Sequence, residues 1–178
     1  MKKWLPFSLI LPLMLPVQAV AFQPTITLQQ DTLSLCASSP MKKMLFDLGE
    51  VALYALDCQS LSAESLTDQP VYLSFRYARS FDAEDFIDSS ETLIRRNSDA
   101  DKFAQIAASL SAFNANYEAI SDGERYDIGW SEQTGLILKK NDRLLSQSDS
   151  AQLADVYFRI WFGDKPFSTR LKNNLLPD

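Results

Sequence analysis

The sequence predicts an α+β fold in which helices pack on a mainly antiparallel sheet. Three observations predict it. Segments with an apolar period of two cluster before residue 78 and return after Gly123, two amphipathic helices fill the interval, and a stripe at helical spacing closes the chain. The order is strands, helices, strands, helix, with no internal repeat and no low-complexity linker.

The chain opens with a different kind of segment. Lys2 and Lys3 precede an apolar run over residues 4–17, and Ala19-Val20-Ala21 offers a small-residue cleavage site, so residues 1–21 read as a secretory signal peptide. A membrane anchor is the competing reading. The run falls short of the ~20 residues needed to span and is broken by Pro6, Pro12 and Pro16. Cleavage leaves residues 22–178 as a single domain, large enough to bury a core, with no stable membrane span.

Residues 25–28 and 32–36 alternate apolar and polar side chains around Gln29, Gln30 and Asp31, a small hairpin. After residues 37–40, a connection ending at Pro40, residues 44–56 are too long and too apolar for a surface loop. They read as a long curved strand in which Gly49 marks a bend, a bulge or a close approach. Residues 59–69 are polar and Ser-rich, a loop or short helix. Pro70 then introduces a strand over 71–77, with Val71, Leu73, Phe75 and Tyr77 on one face.

Asp82 caps the first helix with Asp85 at its third position, and Phe81 and Phe86 form a hydrophobic staple across that start. The helix runs to about Arg96. A second begins near Ser98 and aligns Phe103, Ile106, Ala107, Leu110, Phe113 and Tyr117. Strands follow at 125–130, 136–140 and 143–145, with turns over residues 131–135 and at Asn141-Asp142. The last helix starts near Ser150 and buries Leu153, Val156, Tyr157, Ile160 and Trp161. Gly163 is placed to end it in the left-handed conformation, and Ser168 to cap a short helix carrying Leu171, Leu175 and Leu176.

Composition removes several function classes. The formal charge is −6, and loss of the leader with its two lysines takes it to −8, so a nucleic-acid backbone is a poor partner. There is no histidine, which excludes histidine triads, imidazole metal ligands and the ordinary physiological-pH switch. The acidic group Asp82, Glu84, Asp85 and Asp88 is ordinary helix-start chemistry, and neither a metal nor any other cofactor is expected. Arg95 and Arg96 suit the helix C-terminus they occupy.

Cys36 and Cys58 form a disulfide after export or remain buried, small apolar fillers. Two strands over 32–36 and 44–56 in a simple hairpin carry Cys58 roughly 40 Å from the turn, whereas bridged Cα atoms lie within about 7 Å. Either the long strand bends sharply or the thiols stay free. Neither cysteine has a histidine to activate it as a nucleophile.

Three stretches carry a resemblance: Val51-Ala-Leu-Tyr-Ala-Leu56, the strand starting Gly123-Glu-Arg-Tyr-Asp-Ile128 with its Thr134-Gly135 turn, and Trp161-Phe-Gly-Asp-Lys-Pro166 followed by Leu175-Leu176. Together they resemble the bacterial chalcone-isomerase-like family across nearly the whole mature chain. The resemblance implies an open-faced β-sandwich with a small-molecule cleft between sheet and helices, and two branches of function. One branch closes a flavonoid ring by intramolecular addition, and the other binds fatty acids without catalysis. Active relatives place an arginine ahead of the long strand, where anionic charge develops on the substrate oxygen. Counting back from Tyr54, that position falls near Met41, and this chain has Met41-Lys42-Lys43 instead. A lysine holds an anion as a point charge but lacks the planar fork of arginine. No catalytic residue is therefore assigned.

The expectation is an exported, periplasmic protein that binds a fatty acid or another small apolar acid, with Lys42, Lys43 and Tyr54 as candidate ligand-binding residues. An isomerase acting on a chalcone-like unsaturated ketone is the alternative. A third reading is an envelope interaction protein whose pocket has been lost.

Overall fold

The hairpin that organises the sheet turns at Met44 and Leu45, between β2 (Asp31–Lys43) and β3 (Phe46–Ala55). The computed structural model describes residues 22–176; the predicted leader lies outside the described residues. A short strand, β1 (Thr25–Leu28), precedes this hairpin, and β4 (Val71–Tyr77) follows it. After two helices come β5 (Arg125–Ser131), β6 (Gly135–Lys140) and β7 (Arg143–Ser148). The seven strands of the described residues form one curled antiparallel sheet in sequence order.

β2 runs straight through the segment read from sequence as a connection, and the reason lies in its edge. β1 pairs with β2 only as far as Ser34, so the strand beyond has β3 as its one neighbour. Pro40, which lacks a ladder donor, is tolerated there. α4 (Thr169–Leu175) covers this stretch, and the Asn174 amide donates to the Ser39 hydroxyl at 2.8 Å.

The same correction resolves the cysteines. With the turn at residues 44–45 rather than before them, Cys36 lies beside the end of β3, and the Cys36–Cys58 disulfide closes with Cα atoms 5.3 Å apart. The register shifts by one between Leu35 and Ala37, leaving Cys36 as the bulged residue. Gly49 fulfils its reading as a close approach. Its φ is +126°, and a Cβ there would stand 1.9 Å from the Arg76 carbonyl oxygen.

Both faces of the central strands are covered, which is why β3 reads as continuous apolar sequence rather than as alternation. Val51 and Leu53 on β3, Leu73 and Phe75 on β4, and Ile128 on β5 face the helices. Ala52, Tyr54, Tyr72 and Ile137 face the other way and pack with Leu28 and Leu33, so the amino-terminal strands shield the outer face.

Among the described residues, four α-helices make the second layer. α1 (Ala83–Arg96) starts at the predicted capping box, with the Asp82 amide donating to the Asp85 carboxylate at 3.0 Å. α2 (Ala100–Asn114) is capped by Asp99, one residue past the expected start. α3 (Ala151–Phe162) and α4 begin at Ser150 and Ser168, as their sequences predict. Phe103, Ile106, Leu110 and Phe113 from α2 and Leu153, Val156 and Tyr157 from α3 enter the same core.

Gly163 corrects the expected left-handed stop. Its φ is −68°, and the need for glycine comes from crowding: a Cβ would meet the Asn97 side-chain oxygen at 2.5 Å and the Arg159 carbonyl at 2.7 Å. Asn97 accepts from the Lys165 amide at 2.7 Å and donates back to the Lys165 carbonyl at 2.8 Å. The Arg96 guanidinium donates to the carbonyls of Lys165 and Pro166. The Gly-Asp-Lys-Pro turn is thus a docking site for the end of α1, a role beyond the dipole argument for Arg96.

A candidate ligand cleft between sheet and helices

Where α1 and α3 cross the concave face of the sheet they leave a cavity of about 270 Å³. Its floor is Phe75, Tyr77, Tyr126 and Ile128 from β4 and β5, with Met41, Lys43 and Leu48 from the β2–β3 hairpin at one side. Phe86, Ser90 and Leu93 of α1, Ile160 and Trp161 of α3, and Phe167 close it from above.

Aromatic contacts set its shape. Phe86 stacks on Tyr117 with ring centroids 5.4 Å apart, and both meet Tyr126 edge-on. Phe75 and Trp161 meet at 4.9 Å. Such offset and edge geometries are favourable beyond area alone and leave rigid walls.

A hydrogen-bonded chain of side chains stands behind these walls. Ser90 donates to the Ile87 carbonyl at 2.9 Å and accepts from the Asn114 amide at 2.7 Å, and the Asn114 oxygen accepts from the Tyr157 hydroxyl at 3.1 Å. The Tyr157 and Tyr117 hydroxyls are 2.7 Å apart. Tyr126 donates to the Glu118 carbonyl at 2.6 Å. Ser90, Asn114, Tyr157, Tyr117 and Tyr126 thus each have a partner, which holds α1, α2 and α3 in one arrangement. The Tyr77 ring lines the cavity and meets Phe81, Phe86 and Tyr126 edge-on.

Burial raises the phenols of Tyr77 and Tyr117 well above their ordinary value, and pushes that of Tyr126 up to about 12. They are neutral donors at physiological pH, suited to an anionic acceptor. At the mouth the Lys43 ammonium lies 5.8 Å from the centre of the Phe167 ring.

The structure brings only one of the three sequence candidates to the cleft. Lys43 lines it, Lys42 is exposed on the alternate side of β2, and Tyr54 lies on the outer face of the sheet. Tyr54 donates its hydroxyl to the Gln23 carbonyl at 3.0 Å. Met41, at the position counted for the family's arginine, is buried against the cavity.

Tyr54 borders a second, polar depression of about 320 Å³ that also contains Tyr72, Arg76, Arg125 and Asp127. Asp127 is 1% exposed, and the Arg125 Nε donates to both of its oxygens at 2.8 and 3.0 Å. Burial raises the Asp127 carboxyl from its ordinary value, while bonds from Ser74 and Arg125 oppose the shift.

Tyr77, Phe86, Tyr117 and Trp161 appear in the sequence as members of core stripes, and nothing in their spacing separates a pocket wall from a core. The acidic residues at the start of α1 serve its cap, and among the described residues no cluster of three metal-ligating side chains converges. Among the described residues, too, no helix is long and apolar enough to cross a membrane.

The sequence profile of a family described as chalcone isomerase-like matches residues 15–177. No curated protein sequence matches the chain. Among solved structures it is similar to a fatty-acid binding protein of Arabidopsis thaliana, with a TM-score of 0.61 and 16% identity, over 87% of this chain and 90% of that one. At that identity the likeness is one of fold.

Proposed function

Because this chain belongs to the chalcone isomerase-like family, its cleft is the natural place to look for activity, and we propose that it is a non-catalytic carrier of a small apolar carboxylic acid. One observation carries the reading: an apolar cavity between sheet and helices with Lys43 at its rim, where the other charged lining residue, Asp85, is engaged by the Asp82 amide at 3.0 Å. A carboxylate at the mouth would meet that ammonium, with the Tyr77 hydroxyl as a second donor, while the tail replaces cavity with contact. The fatty-acid binding protein of similar fold supports the choice of ligand class.

Size narrows the class. At about 270 Å³ the cavity lies just below the ~300–1,000 Å³ of sites that hold drug-sized ligands. A short acid suits a site of that size, and longer chains leave carbons outside the mouth.

Native mass spectrometry of the purified protein, with titration of C8 to C16 acids, tests the reading. Uptake that weakens when Lys43 becomes Met supports it; a reproducibly empty protein that takes up no acid overturns it. Cyclisation of a chalcone that is abolished by the same substitution would replace the carrier with an isomerase.

The reading includes export. The basic and then apolar leader, its Ala19-Val20-Ala21 site, and a disulfide suited to an oxidising compartment support a periplasmic protein starting at Phe22. Intact-mass measurement of the natively produced protein checks that start.

A further inference from the structure

The tip of the β2–β3 hairpin is built against the usual chemistry of its turn. Two-residue hairpin turns with positive φ select Asn, Asp or Gly. Met44 has φ +55°, yet the turn is Met-Leu, with Met44 89%, Leu45 98% and the adjoining Phe46 59% exposed. The rest of the sheet supplies an internal comparison. The β1–β2 turn is Gln29-Gln30, the β5–β6 turn is Glu132-Gln133-Thr134, and the β6–β7 turn is Asn141-Asp142 with φ of +48° and +70°. Among the described hairpins, only the one that borders the cleft has apolar residues at both turn positions; Leu144, beside the β6–β7 turn, is 49% exposed.

Charge follows the same pattern. The chain is acidic, at −6, but Lys42 and Lys43 flank this tip, and the Arg79 guanidinium sits 5.4 Å from the centre of the Phe46 ring. Asp47 is the nearby acid; it accepts the Gly49 amide at 3.0 Å. Three cations around two bare apolar side chains match an anionic bilayer surface, where apolar groups enter the acyl boundary and cations meet the headgroups. A protruding turn offers too little surface for a stable protein partner, which covers about 800 Å² per side.

We infer that Met44 and Leu45 insert into an anionic lipid surface and set the mouth of the cleft against it. Met41, Lys43 and Leu48, on the two strands of the same hairpin, line the cavity. Docking the tip therefore brings the entrance next to the acyl layer. That a fatty acid crosses there rests on the carrier reading above; the docking itself does not.

Vesicle flotation tests the docking with the form starting at Phe22, which contains every described strand and helix and the disulfide. The vesicles are phosphatidylcholine with about a third phosphatidylglycerol, and phosphatidylcholine alone. The wild type is expected to float with the anionic vesicles. M44S/L45S should lower that partition about ten-fold or more, and Lys42→Gln about five-fold, with high salt acting in the same direction. Leu45→Trp should shift its emission to the blue on adding anionic vesicles.

Because Met44 and Leu45 do not line the cleft, M44S/L45S should take up octanoic or dodecanoic acid from aqueous solution as the wild type does, with unchanged melting. Equal vesicle binding by wild type and M44S/L45S overturns the docking, as does an unshifted Leu45→Trp emission. Concentration-dependent dimers that M44S/L45S dissolves would assign the tip to a second copy of this chain and overturn it equally. A protein that floats but takes up no acid supports the docking and overturns the carrier.

Discussion

Replacing Cys36 and Cys58 together by alanine removes a cross-link between residues 22 apart in sequence. In the chain-entropy account the bridge restricts the unfolded ensemble by about 11 cal/mol/K for a loop of that length, or about 3.4 kcal/mol at 25 °C. For a domain of this size, with a urea m-value of about 2 kcal/mol/M, the midpoint should fall by roughly 1.7 M. The melting temperature should fall by about 7–14 °C. Trp130, buried in the core, and Trp161, at the cleft wall, report the transition by fluorescence. Reduction of the wild type should reproduce the shift, because both remove the same constraint. Neither cysteine lines the cleft, so acid uptake under folding conditions should be unaltered. A double-alanine variant and a reduced wild type that unfold within about 0.3 M of the oxidised protein would refute the entropic reasoning, since local packing is small at these half-buried positions.

Lys43→Met should weaken binding of a medium-chain acid by about 10- to 100-fold, the worth of a charge-assisted bond, in a fluorescence displacement titration. Tyr77→Phe should weaken it by about 2- to 10-fold, the range for one neutral hydrogen bond, because the Tyr77 side chain lines the cavity. Gly49→Ala, which drives a methyl into the Arg76 carbonyl at a φ of +126°, should destabilise by about 3 kcal/mol or more in urea unfolding. The carboxyl of Glu118 is held low chiefly by Arg143, and that of Glu124 by the Ser121 amide. Lowered folded-state values stabilise at neutral pH and lose that contribution as pH falls through the carboxylate range, so Glu118→Gln should flatten the acid limb of a melting-temperature profile. Asp127, raised by burial, contributes with the opposite sign: its protonation on acidification favours the folded state.

The helices were legible because their signals are local. Asp82 with Asp85, Ser150 and Ser168 each satisfy orphan amides a few residues away, and the stripes of α2 and α3 repeat at the helical period. β2 was legible only in part. Whether Pro40 interrupts a strand depends on which neighbour that edge has, and β1 ends at Ser34. The disulfide followed the same uncertainty, since moving one turn by several residues decides whether Cys36 and Cys58 meet.

The site divides along the same line. Strand parity separates Lys43 from Lys42 once β2 is known to extend through both, but it does not say which side of the sheet the helices cover. Tyr54 was placed in a strand correctly and on neither face. The curl that brings Phe22, Ile26 and Leu28 over the outer face gives its hydroxyl a backbone partner there.

By itself the sequence determined the α+β class, the helix starts, the family resemblance and the absence of imidazole chemistry, because each depends on composition or on residues close along the chain. Only the tertiary structure decided which aromatic rings wall a cavity, that Lys43 rather than Tyr54 stands at its rim, and that an apolar turn projects beside the entrance. Those depend on which faces meet across residues far apart in sequence, and periodicity carries no information about what lies opposite a face.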